Sequence, residues 1–172
     1  MADIREIVTS DDIEEAIRAA LDNHRKQIWT AMPIIVEKDS DGHTVTLKMS
    51  IKGQVRDEKG KLKDEEYPVL QDVPVNFIGG GGDKEEKSVL LTHPIKKKDE
   101  GFITFMSRPM DNWFKDGDVQ GAIDRRSHDL SDAILSPGVR STPRKIKHYD
   151  DKTAQLRSGD KKHVISHDPS AG

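Results

Sequence analysis

The chain has 172 residues, of which 34% are charged and 33% hydrophobic, with a formal net charge of −3 and no cysteine. The length predicts one domain with appendages or two small domains. The lack of cysteine excludes disulfides and thiolate metal sites, and the small negative charge gives no general attraction to nucleic acid or acidic membranes. A composition this polar predicts a thin core, so either part of the chain is unstructured or copies of it bury surface against one another.

The first predicted element is an amphipathic helix over residues 11–28. Asp11 is a suitable N-cap, and Glu14 occupies the reciprocal capping position. One face of the helix is apolar and the opposite face is charged. The apolar positions are Ile13, Ala16, Ile17, Ala20, Leu21 and Ile28. This face packs either on its own domain or on a neighbouring subunit, and the periodicity favours neither alternative.

No targeting or membrane-spanning segment is predicted. The charged residues of the segment 1–6 are not followed by the apolar core of a signal peptide. No apolar run approaches the roughly 20 residues that a membrane-spanning helix needs. We therefore expect synthesis in the cytoplasm as a soluble protein.

Alternating apolar residues predict β-strands from Ile34 onward. Ile34–Val36 leads into the turn sequence 39–42, and a long half-buried strand follows. Its apolar positions are Val45, Leu47, Met49 and Ile51. Residues 56–66 are almost all charged or glycine and are typical of a solvated hairpin tip.

Three more strand-like runs precede a short helical turn around Trp113. They are Val73–Phe77, Ser88–Thr92 and Phe102–Met106. Five or so short strands between Trp29 and about Asp118 favour a small all-β barrel or sandwich. A five-stranded OB-type barrel is the most economical choice, although the pattern does not separate it from an SH3-like barrel.

The chain changes character after Gly117. Residues 119–145 contain turn residues and one brief apolar stretch, and this composition predicts a connector. Three short strand-like pieces follow, at Ile146–Tyr149, Thr153–Arg157 and His163–Ser166. Each has too few apolar residues to form a sheet alone, so we expect three chains to wind around a common axis and share a core.

Two segments resemble catalytic motifs, and neither fits on inspection. The four glycines Gly79–Gly82 lack the Lys-Ser/Thr pair of a phosphate-binding loop, because Asp83 follows them and Glu85 follows Lys84. We interpret them as a flexible hairpin tip. Three consecutive residues such as Ser127-His128-Asp129 point in different directions and cannot form a catalytic relay. We interpret them as a turn and helix cap, in which Asp129 or Ser131 accepts from backbone amides.

The remaining candidates for chemistry are weak. The seven histidines do not cluster at metal spacing, and His163 and His167 lie four apart in a strand-like segment where ligands would be two apart. Residues 137–172 are basic, but Phe77, Phe102 and Phe105 are predicted to be core residues rather than a base-stacking platform. No carboxylate pair stands in an apolar context. The sequence therefore predicts no enzyme, no catalytic or metal-binding residue and no cofactor.

The order of several features nevertheless resembles one family. After the helix come Met32-Pro33, a strand ending in Ile51-Lys52-Gly53, Asp72-Val73-Pro74-Val75, the glycine run, His93-Pro94-Ile95, Lys98-Asp99-Glu100-Gly101, the segment 108–113, and His128-Asp129-Leu130-Ser131-Asp132. No single one of these features is specific for a family, whereas their full order, ending in Arg-x-His-Asp-Leu-Ser-Asp, is fairly specific. Over residues 12–140 it resembles the N-terminal domain of bacteriophage baseplate central-spike proteins, the membrane-puncturing needles of contractile tails.

The resemblance implies a mainly β fold and a set of domains. These are an N-terminal helix (1–28), an OB-fold domain (29–118), a connector (119–145) and the start of a trimeric β-helical or β-prism stalk (146–172). Longer members bind iron through histidines at the needle tip, but the chain lacks a His-x-His motif and ends where the spindle should begin. The iron site is therefore not carried over, and the spike is either short and tipped by another protein or truncated.

The function implied is that of a homotrimeric central spike in the virion, at the tip of the tail baseplate. Its implied partners are the tail hub and baseplate proteins, a separate tip protein and the host outer envelope. No specific nucleic acid or small molecule is implied. The alternatives are an OB-fold single-stranded nucleic-acid-binding protein and a hub adaptor that does not pierce.

Overall fold

The computed structural model describes residues 10–26, 28–82 and 87–170. These residues form a mainly β structure in two compact units, Met1–Pro137 and Gly138–Gly172. The helices are α1 (Ser10–Lys26) and α2 (Asp111–Asp116). The strands are β1 (Ala31–Lys38), β2 (Thr44–Met49), β3 (Gly53–Arg56), β4 (Leu62–Glu65), β5 (Leu70–Pro74), β6 (Ile78–Gly80), β7 (Val89–Leu91), β8 (Glu100–Phe105), β9 (Ala133–Pro137), β10 (Ala154–Arg157) and β11 (Val164–His167).

Five strands of the first unit form one curled antiparallel sheet in the order β5-β2-β1-β8-β9. Its two edge strands approach each other, because a parallel bridge joins Val75, just after β5, to Leu135 in β9. The Asn76 amide also donates to the Leu135 carbonyl oxygen at 2.8 Å. The sheet is therefore a curled half-barrel with nearly closed edges.

The core lies on the concave face of this sheet. In β2 and in β8 every second residue is buried, as expected when one face of a strand is covered. The buried cluster consists of Ile34, Val36, Val45, Leu47, Met49, Val73, Ile95, Ile103, Phe105, Ala133 and Leu135. The long strand ends at Met49, two residues before the predicted last apolar position, Ile51, which is exposed. Phe102 lies on the other face of β8 and is only half-buried, so its prediction as a core residue is wrong.

The membership of the sheet differs from the prediction at two strands. The fifth strand, β9, comes from the segment 119–145 that was predicted to be a connector. The run Ser88–Thr92 was expected in the barrel, but its strand β7 pairs only with β6 in a separate hairpin. Within the charged segment 56–66, residues 57–61 form the predicted hairpin tip between β3 and β4, whereas Leu62–Glu65 form strand β4 itself. The helical turn predicted around Trp113 is confirmed as α2.

Helix α1 is amphipathic, as predicted, but its apolar face is not covered by its own domain. Ile13, Ile17 and Leu21 are 52%, 55% and 58% exposed. Within the described residues, α1 contacts no other helix or strand. Asp11 lies inside the helix, so the N-cap prediction is wrong, and its side chain is outside the described part. Glu14 accepts from Arg18 one turn on rather than capping the helix. In the described ranges no helix is both long and apolar enough to cross a bilayer.

The second unit is built on one hairpin. Strands β10 and β11 pair in antiparallel register, with Leu156 opposite Ile165. The first predicted piece, Ile146–Tyr149, forms no strand, because the chain turns there and His148 has a left-handed φ of 55°. The turns predicted around Asp150 and Ser158 are present. The Asp150 carboxylate accepts from the Lys152 amide at 2.9 Å, and the Ser158 carbonyl oxygen accepts from the Lys161 amide at 3.1 Å.

Gly101 in β8 is a position where a side chain does not fit. A Cβ there would lie 2.7 Å from the Ser136 carbonyl oxygen and 3.0 Å from Leu135 Cδ1. We expect Gly101→Ala to lower the free energy of unfolding by about 1–3 kcal/mol, because β8 and β9 must separate to admit the methyl group. Urea denaturation followed by tryptophan fluorescence measures this change. Gly121→Ala is the control, since a Cβ there meets nothing within 4 Å. An equal loss in both variants would contradict the close approach of the two strands.

Candidate functional site

The segment Ser127-His128-Asp129 forms a structural turn. Ser127 Oγ donates to the Ser107 carbonyl oxygen at 3.0 Å, and His128 Nδ1 lies 3.1 Å from the Trp29 carbonyl oxygen. Asp129 Oδ1 accepts from the amide and hydroxyl of Ser131. These bonds hold the pKa of Asp129 below its ordinary value, the Ser131 amide being the largest cause. The predicted turn, with Asp129 accepting from a backbone amide, is confirmed, but strand β9 rather than a helix follows it.

The neighbouring Arg126 and Asp132 form a buried ion pair that sequence reasoning missed. Asp132 is fully buried. Its carboxylate accepts from Arg126 Nε at 2.8 Å, from Arg126 Nη2 at 3.1 Å and from the Met110 amide at 3.0 Å. Arg126 also donates to the carboxylates of Asp124, at 2.8 Å, and Asp111. We call these four side chains, Arg126, Asp132, Asp124 and Asp111, the arginine cluster.

The arginine cluster is an anchor rather than a reactive centre. Hydrogen bonds, first to Asp132 and then to Asp111 and Asp124, raise the pKa of Arg126 above its ordinary value, although burial opposes this. The backbone of Asp132 takes part as well, because its carbonyl oxygen accepts from the Met106 amide at 2.8 Å. The cluster therefore ties the end of β8, helix α2 and the start of β9 together. The sequence contained a signal for this cluster, because Arg126 is the first residue and Asp132 the last residue of the Arg-x-His-Asp-Leu-Ser-Asp motif.

The glycine run begins a hairpin and not a phosphate site. A hairpin is present as predicted, but Gly79 and Gly80 lie in its strand β6, paired with β7, rather than at its tip. Gly81 has a left-handed φ of 107°, which favours glycine. Gly79 also leaves room for Leu90, whose Cδ2 would lie 2.4 Å from a Cβ at that position. The structure does not describe Asp83, Lys84 and Glu85, the residues whose identity speaks against a phosphate-binding loop.

The histidines do not form a metal centre. His167 ends β11 and His163 precedes it, so the strand-like surroundings predicted for this pair are confirmed. Across the described ranges, no three His, Asp or Glu side chains converge closely enough to hold a metal ion. His43 instead stacks on Phe114 with ring centroids 4.9 Å apart, and His93 meets the edge of Phe77.

Polar contacts at the turn between β1 and β2 are also structural. Asp39 accepts from the Lys97 amide at 2.7 Å and from the Lys96 ammonium at 3.0 Å. These two bonds, the amide first, hold the pKa of Asp39 below its ordinary value. Glu37 pairs with Lys48 across the two strands at 2.7 Å, which lowers the pKa of Glu37. Each of these carboxylates is thus held in its charged form by fixed donors and is not poised to exchange a proton near neutral pH.

The features that call for a functional explanation are three exposed apolar surfaces. The helix stripe consists of Ile13, Ile17 and Leu21 on α1. The glycine hairpin, β6–β7, exposes Ile78, Val89, Leu90 and Leu91. The basic unit, residues 138–172, exposes Ile146, Leu156, Val164 and Ile165. Within the described residues, twenty-one large apolar side chains are exposed and twelve hydrophobic residues are buried. Contiguous exposed apolar patches are typical of surfaces that contact other molecules, whereas single exposed apolar residues are normal.

Comparison with known families places the chain beside a phage protein domain. The model described as the N-terminal domain of phage protein Gp138 matches residues 32–138. The matched segment starts at the second residue of β1 and ends one residue after β9, so it covers all of the half-barrel sheet except Ala31 and includes the arginine cluster. A comparison with curated proteins found no match.

Proposed function

Since the chain belongs to the family of the phage protein Gp138 N-terminal domain, we propose that it is the central spike of a contractile phage tail. A phage protein of this family is a structural component of the virion. In the proposed role three copies assemble beneath the baseplate hub, and sheath contraction drives the assembly through the host outer envelope. The chain is not an enzyme in this proposal, and it needs no cofactor.

The observation that carries the proposal is the excess of exposed over buried apolar side chains. A monomer that leaves the helix stripe, the glycine hairpin and the apolar part of the basic unit in water forgoes their burial energy, about 1.5–3 kcal/mol for each fully buried large side chain. A symmetric oligomer recovers this energy. A piercing device requires stiffness and cooperative assembly rather than a pocket. Exposed apolar surfaces provide stiffness and cooperative assembly when copies of the chain cover them in an oligomer.

The strand order supports an OB-type barrel for the first unit. The five strands follow one another around a ring in the order β1-β2-β5-β9-β8. Neighbouring strands are antiparallel, except that the residue just after β5 makes a parallel bridge to β9. The ring is only partly closed at that bridge. A five-stranded, partly open Greek-key barrel with these properties is an OB fold. We infer that this barrel is the hub-facing domain and that the basic unit begins the stalk.

We assign the helix stripe to contacts among the three copies. Ile13, Ile17 and Ala20 follow one another at intervals of four and three residues, the spacing of core positions in a helical bundle. Isoleucine at both kinds of core position favours three or more helices over two. Ala16 and Ala20 beside the isoleucines allow close approach. The expected partners of the trimer are hub and baseplate proteins at one end, and a separate tip protein and the host envelope at the other.

The test of the trimer is the molar mass of the full chain in solution. Multi-angle light scattering is expected to give three times the chain mass of 19.3 kDa. A stable monomer at high concentration would refute the trimer. Filter binding with single-stranded DNA tests the competing OB-fold function, and micromolar, salt-sensitive binding there would favour the nucleic-acid-binding protein.

A further inference from the structure

The basic unit contains a cleft with an unusual charge. The cleft has a volume of about 600 Å³ and lies between the segment 140–147 and strand β10 with the turn after it. Five of its lining residues are cationic, and no acidic side chain of the described chain lines it. The cationic residues are Arg140, Arg144, Lys145, Lys147 and Arg157. We call this the cationic cleft.

Two acidic groups of the basic unit, Asp150 and Asp160, are held by other partners. Asp150 accepts from the amides of Lys152 and Thr153 and from Gln155 Nε2. Asp160 accepts from the Ser158 hydroxyl and from the Lys162 amide, and it pairs with the Lys162 ammonium at 3.6 Å. Residues 138–172 carry eight Lys or Arg against four Asp or Glu. The clustered charge of the cationic cleft is thus not balanced from within its own lining.

Arg157 gives the cleft a specific recognition element. Its Nη2 donates to the Lys147 carbonyl oxygen at 2.8 Å, which fixes the guanidinium against the segment 140–147. Its Nη1 is buried and has no hydrogen-bond acceptor among the described residues. A buried donor without an acceptor is costly, and it is more costly when the group is charged. The orientation of Arg157 therefore calls for an acceptor that the described residues do not supply.

We propose that the cationic cleft binds a phosphate group, as a monoester or a diester. Phosphate offers several acceptor oxygens and up to two negative charges, which suits one guanidinium fixed by a hydrogen bond beside two lysines. Arg157 Nη1 donates to one phosphate oxygen, and the ammonium groups of Lys145 and Lys147 neutralise the others. A single-stranded nucleic acid fits less well, because no aromatic side chain lines the cleft to stack on a base.

The test uses the full chain and two phosphate sources. Inorganic phosphate is titrated by isothermal calorimetry, and co-sedimentation is measured with phosphatidylcholine vesicles with and without phosphatidic acid. The test variant is Lys145→Gln/Lys147→Gln. The control is Lys152→Gln/Lys162→Gln, which removes the same charge from the same unit outside the cleft. Arg157→Lys keeps the charge and removes the planar fork, and circular dichroism verifies that each variant folds.

We expect saturable binding of at least one source. Binding should weaken about tenfold or more in K145Q/K147Q and in R157K, and less than about twofold in the control pair. Binding of free phosphate alone assigns a soluble ligand, whereas binding of acidic vesicles alone assigns a lipid headgroup, and both support the site.

Three results would overturn the proposal. The first is no saturation by phosphate up to about 10 mM together with equal binding to neutral and acidic vesicles. The second is an equal loss in test and control pairs, which would show diffuse attraction by net charge. The third is tighter binding of single-stranded DNA than of either phosphate source, which would make the cleft a nucleic-acid surface.

Discussion

Replacing Arg126 by methionine is expected to lower the free energy of unfolding by about 3 kcal/mol. Removing one member of a buried ion pair leaves the other charge buried and uncompensated, which costs about 3–5 kcal/mol. Arg126 is 24% exposed, so we place the expected value at the lower end of that range. In the variant, the buried Asp132 carboxylate keeps only the backbone amide of Met110 among the donors described above. Urea denaturation followed by tryptophan fluorescence reports the loss, because both tryptophans, Trp29 and Trp113, lie in the first unit.

The adjacent residue provides a matched control. Arg125→Met makes the same chemical change one position earlier at an exposed side chain. A surface substitution of this kind is expected to change stability by less than about 0.5 kcal/mol. If the two variants were equally stable, the arginine cluster would not be the anchor that joins α2 and β9 to the rest of the sheet.

Placing a charge in the helix stripe is expected to dissociate the proposed trimer. Ile17→Glu removes an apolar side chain worth about 1.5–3 kcal/mol when buried, and it does so three times in one assembly. It also brings three carboxylates together near the three-fold axis. At micromolar concentration we therefore expect the molar mass to fall from that of a trimer to that of a monomer. Sedimentation velocity at several concentrations measures the change.

The control for this variant lies on the opposite face of the same helix. Ala19→Glu adds the same charge to α1 but points away from Ile13 and Ile17, since residues two apart face different sides of a helix. It should remain trimeric. If the Ile17→Glu variant is still a trimer, the interface between the copies lies outside α1. If the wild-type chain is a monomer, the trimer itself is refuted.

Local periodicity was enough to predict the elements whose burial follows a simple pattern. Val45, Leu47 and Met49 alternate with polar residues, and all three are buried in β2. The stripe on α1 and the hairpin tip at residues 57–61 could also be predicted, because each depends on neighbours in sequence. Leu135, by contrast, lies in a stretch too short and too irregular to show a period, yet it is among the most buried residues. Its burial depends on pairing with β8 and meeting the end of β5.

By itself, the sequence determined that the chain is mainly β, has an amphipathic N-terminal helix and a thin core, and belongs with phage structural proteins. Only the tertiary structure decided which strands share the sheet. The apolar run Val89–Leu91 joins the glycine hairpin and Ala133–Pro137 completes the half-barrel, because strand pairing joins residues far apart in sequence. The same holds for the arginine cluster and the cationic cleft. The side chains of both sites are brought together by turns, and a residue pattern does not predict the geometry of those turns. The partners of each side chain were therefore known only from the structure.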